Sequence, residues 1–344
     1  MPAMQSAADH KPLQFGILGT AKIAREFAGA VGMSERVVIA AIASRDGNKA
    51  RSFADTYRIP RAFDSYEALL ADPEVEAIYI PLPNSLHAPW TMKALQAGKH
   101  VLCEKPLATS VLDVRRLFAA ARERDLVLTE GFPYSAQPHM RVLRELISSG
   151  SIGPLKYIQA AFGFTITDAG NIRLDPSLGG GALLDAGVYP VSLVRLLTGE
   201  RPVRVFATAQ WHASGVDSAV IATLEHADGI LAQISCSFVT SPHRHALIAG
   251  SQGVIQTPFP NNPPLDRPTV LQLKRGASWD MTYEAIEVPA VQGFRAEAEA
   301  FERHVRLGVA HWSGVTEQES TDIMLTLEAI IASARQRQPV EVGT

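Results

Sequence analysis

From residue 13 to about residue 130 the chain alternates two kinds of segment. Mostly apolar segments of strand length fall at 13–18, 37–43 (the continuous run VVIAAIA), 75–80, 100–103 and 126–129. Helical stretches lie between them, at 21–32, 47–57, 66–71, 86–97 (closed by Gly98) and 111–124. Strands without polar alternation must bury both faces, and helices between successive strands supply the cover. The pattern predicts an α/β unit with a doubly wound parallel sheet.

Beyond residue 133 the pattern changes. A helix is expected over 137–149 and a strand over 155–164, followed by a loop that ends in Gly179-Gly180-Gly181. A helix is then expected over 182–197. Strands follow without helices between them, at 203–210, 219–225, 230–238, 245–249 and 269–274. Strands joined by turns predict a large, mostly antiparallel sheet. The Pro-rich stretch 257–268 is expected as an exposed loop, and helices over 294–307 and 316–335 close the chain. The expected division is a dinucleotide-binding domain at 12–132 and a substrate and oligomerisation domain at 133–344.

Composition narrows the functional classes. A chain of 344 residues is long for one core, which agrees with two domains. A net charge of -3 gives no sign of a broad nucleic-acid face or a polybasic membrane patch. The first residues, MPAMQSAADHK, lack a signal-peptide pattern, and no apolar run is read as spanning a bilayer, so the expected location is cytoplasmic. Cys103 and Cys236 are too few for a disulfide framework and make no CxxC pair; Cys103, in HVLC, reads as a buried strand thiol. His139, His243 and His245 lack ligand partners at recognisable spacing, so no metal site is expected. Neither GxSxG nor a Walker phosphate loop is present.

The first strand runs directly into Gly19-Thr20-Ala21-Lys22-Ile23-Ala24, a degenerate G-x-G-x-x-G with alanine at two of the glycine positions. Gly19 suits the tight turn, Ala21 the approach of the pyrophosphate, and Ala24 close packing of helix on strand. The free amides at the helix start would bind the pyrophosphate. An NAD binder carries an acidic residue at the end of the second strand; here the strand ends in Ser44-Arg45. A hydroxyl and a guanidinium suit the 2′-phosphate of NADP. Asp46, one residue on, keeps NAD as the alternative.

Three further motifs line up: PLPNSLH at 81–87, Glu104-Lys105-Pro106 after the strand HVLC, and GGGALLDAGVYP at 179–190. With GILGTAKIA they make the chain resemble the Gfo/Idh/MocA oxidoreductase family along nearly its whole length. Its branch with dimeric dihydrodiol dehydrogenase, xylose dehydrogenase and glucose-fructose oxidoreductase is the most similar. The resemblance implies a Rossmann domain followed by an α/β domain with a large, mostly antiparallel sheet. It implies an NADP-dependent oxidoreductase that moves a hydride between nicotinamide and a carbinol or carbonyl of a sugar, sugar derivative or cyclic diol. It further implies that Lys105 reaches nicotinamide ribose and substrate and that Asp185 and Tyr189 form the family's Asp-x-x-x-His/Tyr pair. Leu82, Asn84, His87 and Glu104 would line the nicotinamide end, and Arg173 would lie on a substrate-side loop.

Oxidising a carbinol also removes a proton. A free tyrosine ionises near pH 10, and a nearby ammonium favours the phenolate, so Lys105 is expected to lower Tyr189. Asp185 and Tyr189, four apart, should share a helix face, with a kink where Pro190 follows Tyr189. Other readings are a nucleotide-sugar keto-reductase, an NAD-dependent glycosidase of the same family, and a non-catalytic dinucleotide sensor. The expected partners are a polyol or sugar and further copies of the chain, as a dimer or tetramer, since a large half-apolar sheet rarely stays bare.

Overall fold

The computed structural model describes residues 11–343, and among them there are two sheets. The first contains β1 (Leu13–Leu18), β2 (Val37–Ala43), β3 (Arg61–Phe63), β4 (Ala77–Ile80), β5 (His100–Glu104) and β6 (Leu128–Gly131). All its pairs are parallel and its order is β3-β2-β1-β4-β5-β6. This is the Rossmann order, in which ligands bind outside the carboxyl ends of the strands, where the winding reverses between β1 and β4. The three-residue edge strand β3, with only Ala62 and Phe63 apolar, is too short for a periodicity to announce it.

The second sheet contains β7 (Leu155–Thr165), β8 (Arg204–Trp211), β9 (Asp217–Glu225), β10 (Leu231–Ser237), β11 (Val239–Gly250), β12 (Gly253–Pro258), β13 (Thr269–Arg275), β14 (Glu284–Val288) and β15 (Val340–Glu341). Its order is β14-β13-β12-β11-β7-β10-β9-β8-β15. All pairs are antiparallel except β7 with β10. One face is covered by the helices Val188–Thr198 and Glu317–Gln336. Along β8, buried Val205 and Ala207 alternate with exposed Arg204, Phe206 and Thr208, which is the signature of a sheet covered on one side.

The stretch 257–268 differs from the expected exposed loop. β12 extends through Pro258, Thr257 is buried and Phe259 is fully buried. The prolines end the strand, but the aromatic between them anchors the segment in the core. The membrane reading also needs correction: Pro176–Thr198 does have the length and apolarity of a span, and its window is 72% buried inside the fold. Its apolarity is that of a core segment packed against the second sheet.

The helix Gly293–Leu307 lies far along the chain but covers the first sheet. Phe294, Ala298 and Phe301 join Phe15, Phe27 and Tyr79 in one buried cluster. Phe27 stacks on Tyr79 at 3.8 Å between ring centroids, and Phe301 lies 5.4 Å from Phe15. This helix ties the last third of the chain to the dinucleotide sheet. Phe301→Ala should therefore cost about 3–5 kcal/mol in urea unfolding. A loss below about 1 kcal/mol, typical of surface changes, would mean that the helix contributes no core to the first sheet.

Candidate active site

The dinucleotide end is built by β1 and β2. Gly19 follows β1 with φ +95°, its N–H donating to Ala43 O at 2.8 Å. A side chain is strained at that φ, and a Cβ there would also stand 3.0 Å from Leu82. The helix Lys22–Val31 begins after Ala21, which offers no side-chain cap, so its first amides are free for an anion. Ala24 is fully buried against the sheet. Thr20 stands on this turn, and Ser44 and Arg45 follow β2 beside it. Asp46 caps the helix Gly47–Tyr57, accepting from Asn48 N at 3.0 Å and Lys49 N at 3.3 Å. One oxygen of the Asp46 carboxylate is thus spent on the helix, and exposed Arg45 is the strand-end cation beside it.

The remaining predicted residues meet in a cleft of about 550 Å³. Ala21, Lys22, Ile23, Leu82, Asn84, His87, Glu104, Lys105, Arg173, Asp185 and Tyr189 all line it. Gly19, Thr20, Ser44 and Arg45 lie outside that lining, at the adenosine-facing end of a Rossmann crevice. Asn84 opens the helix Asn84–Gln96 and donates from Nδ2 to Gly179 O at 2.9 Å. His87 is buried on the same helix, its ring nitrogens 2.7 Å from Pro106 O and 2.7 Å from Leu82 O. Burial pushes its pKa down to about 4, against the pull of the two carbonyls. His87 thus braces the loop before it and the loop after β5.

Lys105 follows β5 and reaches across to the second half of the chain. Its Nζ donates to Asp185 O at 2.7 Å and to Asp185 Oδ1 at 3.0 Å. The other carboxylate oxygen, Oδ2, accepts from Arg173 Nε at 2.6 Å. The Asp185 carbonyl is available because of the local backbone. Residues Leu183–Gly187 form a π-helical turn, and the residue five positions after Asp185 is Pro190, which has no N–H to give. The expected kink at Tyr189 is therefore displaced one turn earlier; Tyr189 itself lies in the helix Val188–Thr198. The widened turn still leaves Asp185 and Tyr189 both facing the cleft. Gly180 holds Arg173 in place, since a Cβ there would stand 2.5 Å from the Arg173 carbonyl, which accepts the Gly181 N–H.

The cluster sets two cations on one carboxylate. Burial raises the Asp185 carboxyl, but Lys105 and Arg173 outweigh it and lower its pKa to about 2. Burial opposes the Lys105 ammonium too, yet Asp185, Tyr189 and Glu104 hold its pKa above the ordinary lysine value. Glu104 is buried and accepts from Tyr79 Oη at 2.6 Å, and burial raises its pKa.

Tyr189 departs from the expectation that Lys105 would lower it. Burial raises the phenol above its ordinary value, and the pull of Lys105 does not overcome this. The reason is geometric. Lys105 spends two of its donors on Asp185, and its Nζ lies 5.0 Å from the Tyr189 ring centroid. The Tyr189 hydroxyl instead accepts from Asn261 Nδ2 at 2.9 Å. Two cleft residues, Asn261 and Arg244, were absent from the sequence reading. Arg244 was legible: it shares the strand parity of buried Ala246 and Ile248, where a charged residue is out of place. Asn261, in the stretch PNNPP, carries no such signal.

A Rossmann sheet whose carboxyl edge faces a cleft lined with a buried ammonium, a carboxylate and a phenol defines a nicotinamide-dependent oxidoreductase. The family profile described as "Oxidoreductase family, NAD-binding Rossmann fold" matches residues 13–132, and the "GFO/IDH/MocA C-terminal domain" matches residues 140–256. The chain is 37% identical to D-xylose 1-dehydrogenase (NADP(+)) 2 of Haloferax volcanii, over 96% of this chain and 100% of that protein. It is 37% identical to trans-1,2-dihydrobenzene-1,2-diol dehydrogenase of Xenopus laevis, over 71% and 75%. A crystal structure of a 3-ketoreductase from Actinomadura kijaniata with NADP and TDP-benzene superposes with a TM-score of 0.87 at 32% identity, over 94% of this chain and 98% of that one. The chain belongs to the Gfo/Idh/MocA family of oxidoreductases.

The ion cluster has a pH signature. The folded pKa of Asp185 is depressed, so its ionised form stabilises the fold fully above the ordinary value of 3.8, and that contribution is lost as pH falls through about 2. Asp185→Asn leaves Lys105 and Arg173 without a counter-charge and should cost about 3 kcal/mol at neutral pH. In urea unfolding the gap between variant and parent should narrow as pH falls below 3.8. A gap independent of pH would mean that Asp185 acts there only through its shape.

Proposed function

We propose that the protein is an NADP-dependent oxidoreductase that interconverts a carbinol and a carbonyl on a sugar, sugar derivative or cyclic diol. The observation that carries this reading is the buried Lys105–Asp185–Arg173 cluster set beside Tyr189 at the carboxyl edge of the Rossmann sheet. Residues 12–132 form the dinucleotide-binding part and 133–344 the substrate part, with the helix Gly293–Leu307 lying back across the first sheet. The positive φ of Gly19, the uncapped helix behind it and the exposed Arg45 fit a dinucleotide with a 2′-phosphate. Leu82, Asn84, His87 and Glu104 would surround its nicotinamide end. When bound, the nicotinamide supplies or takes up the hydride at the substrate carbon.

The chain's own residues then handle the oxygen and its proton. Asp185 holds Lys105 so that its ammonium faces the cleft, where it polarises the reacting oxygen. Tyr189, kept protonated at neutral pH by burial, gives its proton to that oxygen in reduction and takes it back in oxidation. Arg173, paired with Asp185 and 41% exposed, is placed to contact substrate hydroxyls. The relatives span dehydrogenases of free sugars and diols and a reductase of keto-sugars. The nucleotide-sugar reading therefore stands as the second one.

Titration with NADPH and NADH, followed by nicotinamide fluorescence, tests the cofactor reading. NADPH should bind more tightly, and Arg45→Ala should abolish most of the preference; an undiminished preference in that variant would remove Arg45 from the site. Tyr189→Phe should lower turnover by about 10²–10⁴-fold. The oxidation rate should rise with pH as far as the raised Tyr189 value, whereas reduction should stay level across neutral pH. Near-normal turnover by Tyr189→Phe would remove it as the proton donor.

The open face of the second sheet carries exposed Phe206, Ile221 and Leu231, which suits pairing between copies of the chain. Ile221→Arg should shift the sedimentation coefficient toward that of the monomer, and an unchanged value would place the contact elsewhere.

A further inference from the structure

Arg244, on β11, is a cation without a counter-ion. Among the described residues no carboxylate lies within ion-pair distance of it, and its buried Nε has no partner. Aromatic rings hold it instead. Its guanidinium carbon is 4.0 Å from the Tyr189 ring centroid, 4.7 Å from Phe259, 4.8 Å from Phe162 and 5.4 Å from Tyr134. Ring faces attract a cation and leave its charge uncancelled, so Arg244 projects a net positive field at the phenol beside it. Lys105 exerts the larger direct pull on Tyr189, but its charge is matched by Asp185.

Asn261 bridges Arg244 and the phenol oxygen, beside the direct pull of the guanidinium on Tyr189. Arg244 Nη2 donates to Asn261 Oδ1 at 3.3 Å, and Asn261 Nδ2 donates to Tyr189 Oη at 2.9 Å. A guanidinium can only donate, so it takes the amide oxygen and turns the amide NH2 toward Tyr189. The main chain of Asn261 is clamped as well, its carbonyl accepting from Gln137 Nε2 at 2.8 Å, while the same amide nitrogen reaches Val291 O at 2.9 Å. The phenol oxygen therefore receives a hydrogen bond on its inner side, and its single proton is left to point elsewhere.

We propose that Arg244 and Asn261 are positioning residues for Tyr189: Arg244 fixes the Asn261 amide, and that amide turns the Tyr189 hydroxyl proton into the cleft and supports the phenolate when the proton leaves. The inference rests on Tyr189 as the proton-transfer group. The other ionisable groups that face Tyr189 are Glu104 at the end of β5 and Lys105 just after it, Asp185 in the π-helical turn before its helix, Arg173 on the loop before that and Tyr134 in the turn after β6. None of these bonds the Asn261 amide among the described residues.

The test replaces Tyr189 with 3,5-difluorotyrosine, whose phenol ionises nearer neutrality, and follows its ionisation by fluorine NMR in the full chain. In Arg244→Met the midpoint should rise by roughly one unit, as for loss of a cation about 4–6 Å away. Arg244→Lys should recover part of the shift, and Asn261→Ala should also raise the midpoint. A change below about 0.3 unit in both Arg244→Met and Asn261→Ala would overturn the proposal. If Arg244→Met does not fold, Asn261→Ala and Arg244→Lys decide by the same measure. Turnover of Tyr189→Phe is read separately. A fluorotyrosine shift together with normal Tyr189→Phe turnover would defeat the catalytic reading of Tyr189 and leave the electrostatic link standing; loss of turnover without a shift would do the reverse.

Discussion

The ammonium of Lys105 is the point at which the two halves of the chain are joined chemically. It leaves the end of β5 in the parallel sheet and ends on the carbonyl and the carboxylate of Asp185, which belongs to the helical segment beneath the antiparallel sheet. A cation this buried is costly to leave unpaired, and the one carboxylate of Asp185 serves both Lys105 and Arg173. Much of the surrounding sequence serves that contact. Pro190 leaves the Asp185 carbonyl without a helical donor, the glycine run lets the Arg173 loop approach, and His87 lies between the loops that follow β4 and β5.

This arrangement divides labour between the cations of the cleft. Lys105 is held by Asp185 with its ammonium facing the cleft, and its pull on the phenol, the largest of any cation there, does not overcome burial. Tyr189 stays protonated through burial, which suits a group that gives a proton at neutral pH. The cation that remains unmatched, Arg244, sits on the far side of the phenol and is wrapped in aromatic rings.

Much of the fold was legible because its signals are local. The apolar runs of β1, β2, β4 and β5 and the helices between them follow from periodicity alone. β3, β14 and β15 were missed because they are short and lie at sheet edges, where pairing rather than pattern defines them, and β12, an interior strand, was missed because it runs into the Pro-rich stretch. The π-turn at Leu183–Gly187 and the inward path of Phe259 are tertiary outcomes that no local propensity records. In the site, Lys105, Asp185 and Tyr189 were readable through motifs, and the structure brings them together. The lowered phenol was wrongly expected, because a sequence shows that a lysine is near but not that its donors are already committed to Asp185. Asp46 shows the converse: only the fold reveals that one oxygen of its carboxylate caps a helix beside exposed Arg45.

The most direct measurement is the fate of a labelled hydride. The protein would be incubated with NADPH deuterated at the transferable C4 position and a panel of keto-sugars, aldoses and cyclic ketones, and the products analysed by mass spectrometry. The account predicts one deuterium on the carbon that bears the new hydroxyl, with one NADPH consumed for each product formed. Product that carries no label, or bond cleavage without net consumption of the cofactor, would contradict it.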